Sequence, residues 1–317
     1  MKRSCTILIS HFESLNFLHT CISQIRKYEH PDIIHHIVIA DQSRDLYHNG
    51  IVGRYWGDED ITVVKMAPLW SGFGIDYILR NYKIETEYVC QMHVDCVPIH
   101  KNWLYLPITL LEENFYHFVG QLHFWSRDTD TIYPPGPFFS MSPTFNVART
   151  STYKEMSLQA GFTRFHNRAD CGLQFLNDDW HKWAWEDYQA RGSDDDTVAF
   201  HWEDKYRQDD KLGLAITGFV QPKFGRIIED IVFHFGSCRE ALGVMDTMPE
   251  LYKHYTKKIN EGYYNDELIG EMVSLAKANQ PPQMEILRRN HWDGKLKISM
   301  PPPDELNKRI EELKNME

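Results

Sequence analysis

The first hundred residues alternate short β-branched runs with segments of helical spacing, and this alternation restricts the fold more than any other feature. The apolar runs predict four buried strands, at 6–9, 33–40, 61–64 and 88–92. Helices are predicted to begin after Ser14, where apolar residues recur every three or four positions, and over 72–83. We therefore predict an α/β fold with a mostly parallel central sheet flanked by helices.

Polar residues follow these strands at the points where they end. Ser10 follows the first strand, Asp41 and Ser43 follow the second, and His93 and Asp95 follow the fourth. Because ligands of open α/β sheets bind beyond the carboxyl ends of the strands, we expect these side chains to meet in one crevice.

The pattern changes towards the end of the chain. Short strands are predicted around 118–120 and 144–149, a helix over 151–159, and one late strand over 227–235 that carries His234. Further helices are predicted over 249–260, over 266–279 and after Pro303. We predict two domains, an α/β domain over 1–245 and a helical C-terminal extension over 246–317. The apolar stripes of the extension are expected to cover the first domain, to shape a binding cleft of that domain, or to pair with a second copy of the chain as a homodimer.

The charge balance excludes some classes of partner. The chain has 34 basic and 45 acidic residues, a formal charge of −11, so we expect no general affinity for nucleic acid or an anionic membrane. No apolar stretch is close to the length of about 18 residues that a membrane-spanning helix needs, and the first residues do not fit a signal peptide. We therefore expect a soluble, cytoplasmic protein. None of the 6 cysteines forms a CxxC pair, which argues against a zinc cluster.

Four segments occur in the order found in GT-A glycosyltransferases of family 2. They are 6–15 (TILISHFESL), 41–45 (DQSRD), 72–81 (GFGIDYILRN), and 92–98 (MHVDCVP) with 102–104 (NWL). Each segment is a weak signal, but the four together resemble this family over roughly residues 4–240. The resemblance implies a GT-A, Rossmann-like fold and an inverting transfer of sugar from a nucleotide donor.

The resemblance also implies a divalent metal, Mn²⁺ or Mg²⁺, bound by a D-x-D motif at the fourth strand. Here His93 replaces the first aspartate and Asp95 is the second, so Asp95 is the expected ligand. His93 offers the metal an imidazole, binds the ribose, or only stabilises the turn. His234, within the segment 231–237 (IVFHFGS), matches a late family histidine that completes the metal or diphosphate site; the alternative is a hydrogen-bonded core histidine.

The remaining roles follow the family motifs. The resemblance assigns the nucleotide sugar to Ser10, Asp41, Ser43, Arg80 and Asn81. At Asp41 a carboxylate that accepts an imide N–H would select uracil or thymine over cytosine, and UDP is the favoured nucleotide; an Asx turn is the alternative role for Asp41. The general base that deprotonates the acceptor hydroxyl is assigned to Asp170, with a helix N-cap as the alternative and Asp178 and Asp179 as nearby substitutes.

The predicted function is thus a metal-dependent glycosyltransferase that moves a sugar from a UDP-sugar to the hydroxyl of a carbohydrate or glycoconjugate acceptor. One alternative is a degenerate nucleotide-sugar-binding protein without activity, because His93 and the segment around Asp170 both depart from the family pattern. A sugar-phosphate nucleotidyltransferase is a weaker alternative, since no Gly-rich loop with Arg and Lys follows the first strand.

Overall fold

A computed structural model describes the chain over residues 2–43, 54–55, 57–66, 71–114, 116–125, 138–158, 213–220, 226–235, 250–262, 265–279, 298–299 and 304–316. The strands are β1 (Arg3–His11), β2 (Ile33–Asp41), β3 (Ile61–Lys65), β4 (Tyr88–His93), β5 (Cys96–Pro98), β6 (Phe118–Trp125), β7 (Phe138–Arg149), β8 (Gly213–Val220), β9 (Arg226–Ile228), β10 (Val232–His234) and β11 (Ile298–Ser299). The helices are α1 (Leu15–Lys27), α2 (Ser71–Asn81), α3 (Tyr105–Asn114), α4 (Thr150–Leu158), α5 (Glu250–Asn260), α6 (Asp266–Asn279) and α7 (Asp304–Asn315).

The central sheet confirms the predicted fold class. Its described strands run in the order β11-β8-β6-β7-β4-β1-β2-β3. Strand β7 runs antiparallel to its neighbours β4 and β6, whereas the other neighbouring strands are parallel. The architecture is therefore mixed α/β, with a mostly parallel sheet flanked by helices.

Both faces of the sheet are buried, which explains why its strands are continuous apolar runs. On β1, Ile7 and Ile9 point to the face covered by α1, and Leu8, between them, is equally buried on the other face. Helix α2 contacts β1 and β2, and its residues Ile75 and Ile78 are buried. A sheet covered on both faces excludes water from its strands and leaves their carboxyl edge for polar side chains.

One predicted strand is wrong. The segment 227–235 forms two strands, β9 and β10, which pair antiparallel within a second sheet of order β5-β10-β9. The chain reverses at Glu229 and Asp230, which both have positive φ angles, of 45° and 57°. The apolar residues on either side of this turn resemble one strand in sequence, although the backbone conformation at the turn separates them.

The C-terminal helices pack on the α/β core. Ile259, Met272, Ile310 and Leu313, which come from α5, α6 and α7, are buried in the same apolar cluster as β1 and α1. The described helices of the extension therefore pack on this core. The division at residue 245 stays a prediction, since residues 236–249 lie outside the described residues. Homodimerisation also stays a prediction. In the part of the chain that the structure describes, no helix has the length and apolar character needed to cross a membrane.

Glycine is required where β6 and β7 approach each other. A Cβ atom at Gly120 would lie 2.4 Å from the backbone oxygen of Phe145 and 2.6 Å from Cα of Asn146. We expect Gly120→Ala to lower the free energy of unfolding by at least about 2 kcal/mol, because two paired strands would have to separate. The midpoint of thermal unfolding measures the loss.

The matched control is Gly270→Ala in the exposed middle of α6, where an added Cβ meets no atom within 4 Å. Alanine favours the helix by about 1 kcal/mol over glycine, so this variant should be slightly more stable than the wild type. Equal thermal midpoints for the two variants would contradict the close approach of β6 and β7.

Candidate functional site

Strand register brings the predicted polar residues to one edge of the sheet. In the parallel pairs, Ser10 lies opposite His93 on β4, and His11 lies opposite Asp41 on β2. Asp41 in turn lies opposite Lys65, the last residue of β3. The carboxyl ends of four neighbouring strands therefore contribute polar side chains to the same edge, where α/β sheets bind their ligands.

Asp41 is the centre of the first group of contacts. Its Oδ1 atom lies 3.1 Å from Nδ1 of His11, and it accepts hydrogen bonds from the Ser43 hydroxyl at 2.7 Å and the Ser43 backbone N–H at 3.1 Å. Its Oδ2 atom accepts from Nζ of Lys65 at 2.9 Å. Lys65 also donates to the backbone oxygen of Ser43 at 2.7 Å, which fixes the turn after β2.

These contacts keep Asp41 ionised although it is buried. Burial alone would raise the pKa of the Asp41 carboxyl, but the hydrogen bonds from His11, Ser43 and Lys65 outweigh that effect and hold the pKa well below its usual range. The crevice therefore contains a permanent, rigidly held carboxylate.

The hydrogen bonds of His11 determine its tautomer. Its Nε2 accepts a hydrogen bond from the backbone N–H of Ser14 at 3.1 Å, so we infer that Nδ1 carries the proton donated to Asp41. Although serine, histidine and aspartate are together here, a Ser-His-Asp nucleophile requires a free Nε2 that faces the serine. The Asp41 cluster is therefore suited to binding a ligand rather than to nucleophilic catalysis.

Ser10 is held by the residue that follows Asp41. The buried Ser10 hydroxyl accepts a hydrogen bond from the side-chain amide of Gln42 at 3.0 Å. Helix α2 comes close to this point, since a Cβ on Gly74 would lie 2.7 Å from Cβ of Ala40 and 2.8 Å from Nε2 of Gln42. A glycine is therefore needed at residue 74 for α2 to pack beside the end of β2.

The second group of side chains is His93, Asp95 and His234. Oδ1 of Asp95 lies 3.3 Å from Nε2 of His234 and 4.0 Å from Nδ1 of His93. The two imidazole rings are 5.9 Å apart between centroids and inclined at 67°. One ligating atom from each residue lies within 4.8 Å of the others.

The small sheet brings His234 to Asp95 across a long separation in sequence. Strand β10 pairs antiparallel with β5, and this register places His234 opposite Cys96, next to Asp95. The backbone N–H of Phe235 donates to the backbone oxygen of Asp95 at 2.9 Å. The side chains of Asp95 and His234 are consequently held close together by backbone pairing.

Two imidazoles and a carboxylate are a donor set that fits a divalent transition metal. Atoms bound about 2.1–2.3 Å from one ion lie no more than about 4.6 Å apart, close to the 4.8 Å limit found here. Nε2 of His234 faces Oδ1 of Asp95 and is therefore the ring nitrogen placed to bind an ion, whereas the buried Nδ1 has no hydrogen-bond partner among the described residues. The donors favour Mn²⁺ over Mg²⁺, because Mg²⁺ prefers oxygen ligands.

Three other predicted site residues have no described contact with either group of side chains. Asn81 ends α2, is exposed, and donates to the backbone oxygen of Tyr77 in its own helix at 2.9 Å. Arg80 lies in α2, but its side chain is outside the described part of the chain, and Asp170 lies in the segment 159–212, which is not described. The roles of these three residues stay predictions.

Lys65 and His11 are contacts of Asp41 to which the sequence motifs assign no role. The signal for Lys65 is its place at the carboxyl end of a strand that neighbours β2. The signal for His11 is its place directly after Ser10 at the end of β1. The register of the parallel strands places both residues opposite Asp41.

No protein-family model and no curated protein matches the chain, whereas several solved structures match part of it. S. aureus TarS 1–349 in complex with UDP-GlcNAc is similar at 18% identity and a TM-score of 0.37, with 49% of this chain and 47% of that chain covered. GalNAc-T7 with UDP, GalNAc and Mn²⁺ is similar at 9% identity and a TM-score of 0.39, with 49% and 36% covered. These matches span less than half of each solved chain, and at this similarity no conclusion about activity is drawn from them.

The Asp41 cluster predicts a characteristic dependence of stability on pH. The pKa of Asp41 is lower in the folded chain than its unfolded value of about 3.9, so the carboxylate stabilises the fold above that pH. This contribution is lost as the pH falls below about 4 towards the folded pKa. Asp41→Asn should lower the free energy of unfolding by about 2–4 kcal/mol at pH 7, and its difference from the wild type should shrink below pH 4.

Thermal unfolding between pH 7 and pH 3 measures this difference. Asp58→Asn is the control, because it removes an exposed carboxylate that pairs with Arg26 at the surface and should change stability by less than about 1 kcal/mol. A difference between wild type and Asp41→Asn that stays constant with pH would contradict the ionised, hydrogen-bonded state of Asp41.

Proposed function

We propose that the protein is a metal-dependent glycosyltransferase of the GT-A fold that transfers a sugar from a UDP-sugar to a hydroxyl acceptor with inversion. The observation that carries this proposal is the cluster of His93, Asp95 and His234 at the same sheet edge as the Asp41 cluster. A metal site beside a pocket with a fixed carboxylate suits a nucleoside diphosphate, which has a base to be selected and a charged leaving group to be neutralised. The order of sequence motifs supports the same fold and activity.

His93, Asp95 and His234 would hold the ion, with Asp95 as the carboxylate ligand between the two imidazoles. When bound, a divalent ion neutralises the negative charge that the diphosphate gains as the glycosidic bond breaks. The chain contributes the rigid placement of these donors, because Asp95 lies in the turn between β4 and β5 and His234 ends β10. Among the described residues, this cluster offers at least three metal-binding side chains within reach of one ion.

Asp41 and Ser10 would hold the nucleoside. Oδ1 of Asp41 has three contacts with His11 and Ser43, whereas Oδ2 has one donor among the described residues, Lys65. A carboxylate oxygen takes about two hydrogen bonds, so Oδ2 retains capacity for the imide N–H of uracil, which cytosine lacks. Ser43, Arg80 and Asn81 complete the nucleotide-sugar site in this proposal.

Asp170 would act as the general base. The acceptor hydroxyl oxygen attacks the anomeric carbon, its proton passes to the Asp170 carboxylate, and the bond to the diphosphate oxygen breaks on the opposite face of the sugar. The sugar is thereby inverted and UDP leaves. A carbohydrate or glycoconjugate acceptor and a cytoplasmic location remain parts of this proposal.

A nucleotide-sugar-binding protein without activity is the second candidate, because an imidazole stands where the family has an aspartate. Incubation with a panel of nucleotide sugars and Mn²⁺ separates the two candidates. The glycosyltransferase proposal requires slow release of UDP by hydrolysis of at least one donor, whereas a protein that only binds leaves every donor intact.

Metal binding is expected to depend on all three clustered side chains. Asp95→Asn, His93→Ala and His234→Ala should each weaken Mn²⁺ binding by at least about tenfold, because each removes one donor from a small set. Isothermal titration calorimetry on the full chain measures the affinity. His254→Ala, which removes an exposed histidine of α5, is the control and should bind Mn²⁺ like the wild type. Wild-type affinity in Asp95→Asn would exclude this site.

Nucleotide selection is expected to depend on Asp41. UDP should raise the thermal midpoint of the wild type more than GDP or CMP does, since a ligand that binds only the folded state stabilises it by mass action. Asp41→Asn should lose this preference, because a carboxamide presents both a donor and an acceptor to the base. Equal shifts with all three nucleotides in the wild type would show that Asp41 does not select the base.

A further inference from the structure

The turn between β9 and β10 has an unfavourable backbone conformation for its sequence. Glu229 and Asp230 both have positive φ angles, and the backbone N–H of Ile231 closes the turn by donating to the oxygen of Ile228 at 2.9 Å. Positive φ at both central residues is the pattern of a type I′ turn, which favours Asn-Gly. Aspartate tolerates a positive φ, but glutamate is disfavoured there, so other contacts must stabilise the conformation at Glu229.

Those contacts come from two of the C-terminal helices. Lys314 of α7 lies 3.4 Å from Oε1 of Glu229 and 4.0 Å from Oδ2 of Asp230, and Lys277 of α6 lies 2.8 Å from Oδ1 of Asp230. The Lys314 side chain is only 11% exposed, whereas that of Lys277 is 54% exposed. Because water screens exposed ion pairs, Lys314 stabilises the turn more than Lys277 does.

Lys314 is held in place by a buried side chain of the α/β core. The amide nitrogen of the fully buried Asn102 shares its two N–H groups among the backbone oxygens of Leu313, Lys314 and Met316, which lie at 2.8, 3.1 and 2.9 Å. The carbonyl groups of Leu313 and Lys314 belong to the last turn of α7 and have no partner within the helix, and Met316 directly follows it. Asn102 therefore seats the end of α7 beside the segment that follows β5.

The turn controls the placement of His234 because β10 is short. Strand β10 has three residues and ends at His234, which lies only four positions beyond Asp230. Its register with β5, in which Val232 lies opposite Pro98 and His234 opposite Cys96, begins directly after the turn. A shift of register by one residue would turn His234 to the other face of the small sheet, away from Asp95.

We propose that Lys314, seated by Asn102, is a positioning residue for His234. Lys314 offsets the repulsion between the carboxylates of Glu229 and Asp230 and keeps the turn in its positive-φ conformation. This conformation fixes the register of β10 and therefore the distance between His234 and Asp95. Through this turn, the C-terminal helices support the candidate metal site. This role rests on the proposed function only in the experiment that measures metal binding.

The first test uses no metal. In Lys314→Met, which keeps the aliphatic stem and removes the charge, the Phe235 amide should exchange its hydrogen about tenfold faster than in the wild type, since its bond to the Asp95 oxygen opens more often. Arg309→Ala is the matched control on the same helix, because Arg309 pairs with Glu113 of α3 and not with the turn. Phe235 protection that falls equally in both variants would show a general loosening of α7 and overturn the proposal.

A compensating variant separates turn conformation from charge. Glu229→Asn with Asp230→Gly supplies the preferred residues of a type I′ turn, so the turn should form without the lysine. In that background Lys314→Met should change Phe235 exchange by less than about twofold. A loss of protection as large as that in the wild-type background would mean that Lys314 acts by another route.

The second test measures Mn²⁺ affinity in the same variants. Lys314→Met should weaken binding by about tenfold, as loss of a residue that orients a ligand does, and the Asn-Gly background should restore it. Arg309→Ala should leave the affinity unchanged. If the wild type binds no Mn²⁺, the proposed function fails while Phe235 exchange still decides the role of Lys314. Unchanged Mn²⁺ affinity in Lys314→Met, with metal bound by the wild type, would overturn the positioning role.

Discussion

The pairing of β10 with β5 is the contact on which the candidate site depends. It brings His234 beside Asp95, and the hydrogen bond from the Phe235 N–H to the Asp95 oxygen fixes the two chain segments at that point. Both strands have three residues, so their own hydrogen bonds are few, and the small sheet needs support from its surroundings. That support includes α6, which contacts β9, and the end of α7, which is seated by Asn102.

The two clusters at the sheet edge differ in how their charges are balanced. In the first, Asp41 accepts hydrogen bonds from His11, Ser43 and Lys65, so its charge is compensated before any ligand arrives, while its Oδ2 atom keeps room for one further donor. In the second, the carboxylate of Asp95 faces two imidazoles, which are neutral metal ligands when deprotonated. Asp41 is thus suited to reading a neutral base, whereas the Asp95 cluster is suited to a cation and, through it, to an anionic diphosphate.

The sequence predicts the parallel half of the fold well, because strands buried on both faces are continuous apolar runs, and it predicts Ser10, Asp41 and His93 as strand-end residues. Helix α3 and the strands β5 and β8 escape prediction, since a helix whose apolar residues form one continuous run and strands of three residues or rich in glycine lack clear periodicity. The hairpin of β9 and β10 is mistaken for one strand because its turn has Glu229 and Asp230 instead of glycine or asparagine. The approach of His234 to Asp95 depends on pairing between distant segments, which local patterns do not contain; only the family motif indicated it.

The central claim is that one divalent ion binds between His93, Asp95 and His234 when a uridine nucleotide is bound at the Asp41 cluster. Crystals grown with MnCl₂ and UDP, measured at the manganese absorption edge, test it directly. We predict an anomalous-difference peak within about 2.5 Å of Oδ1 of Asp95 and of one ring nitrogen from each histidine, with the uracil beside Asp41. A peak elsewhere on the chain, or bound UDP with no peak among these three residues, would contradict the claim.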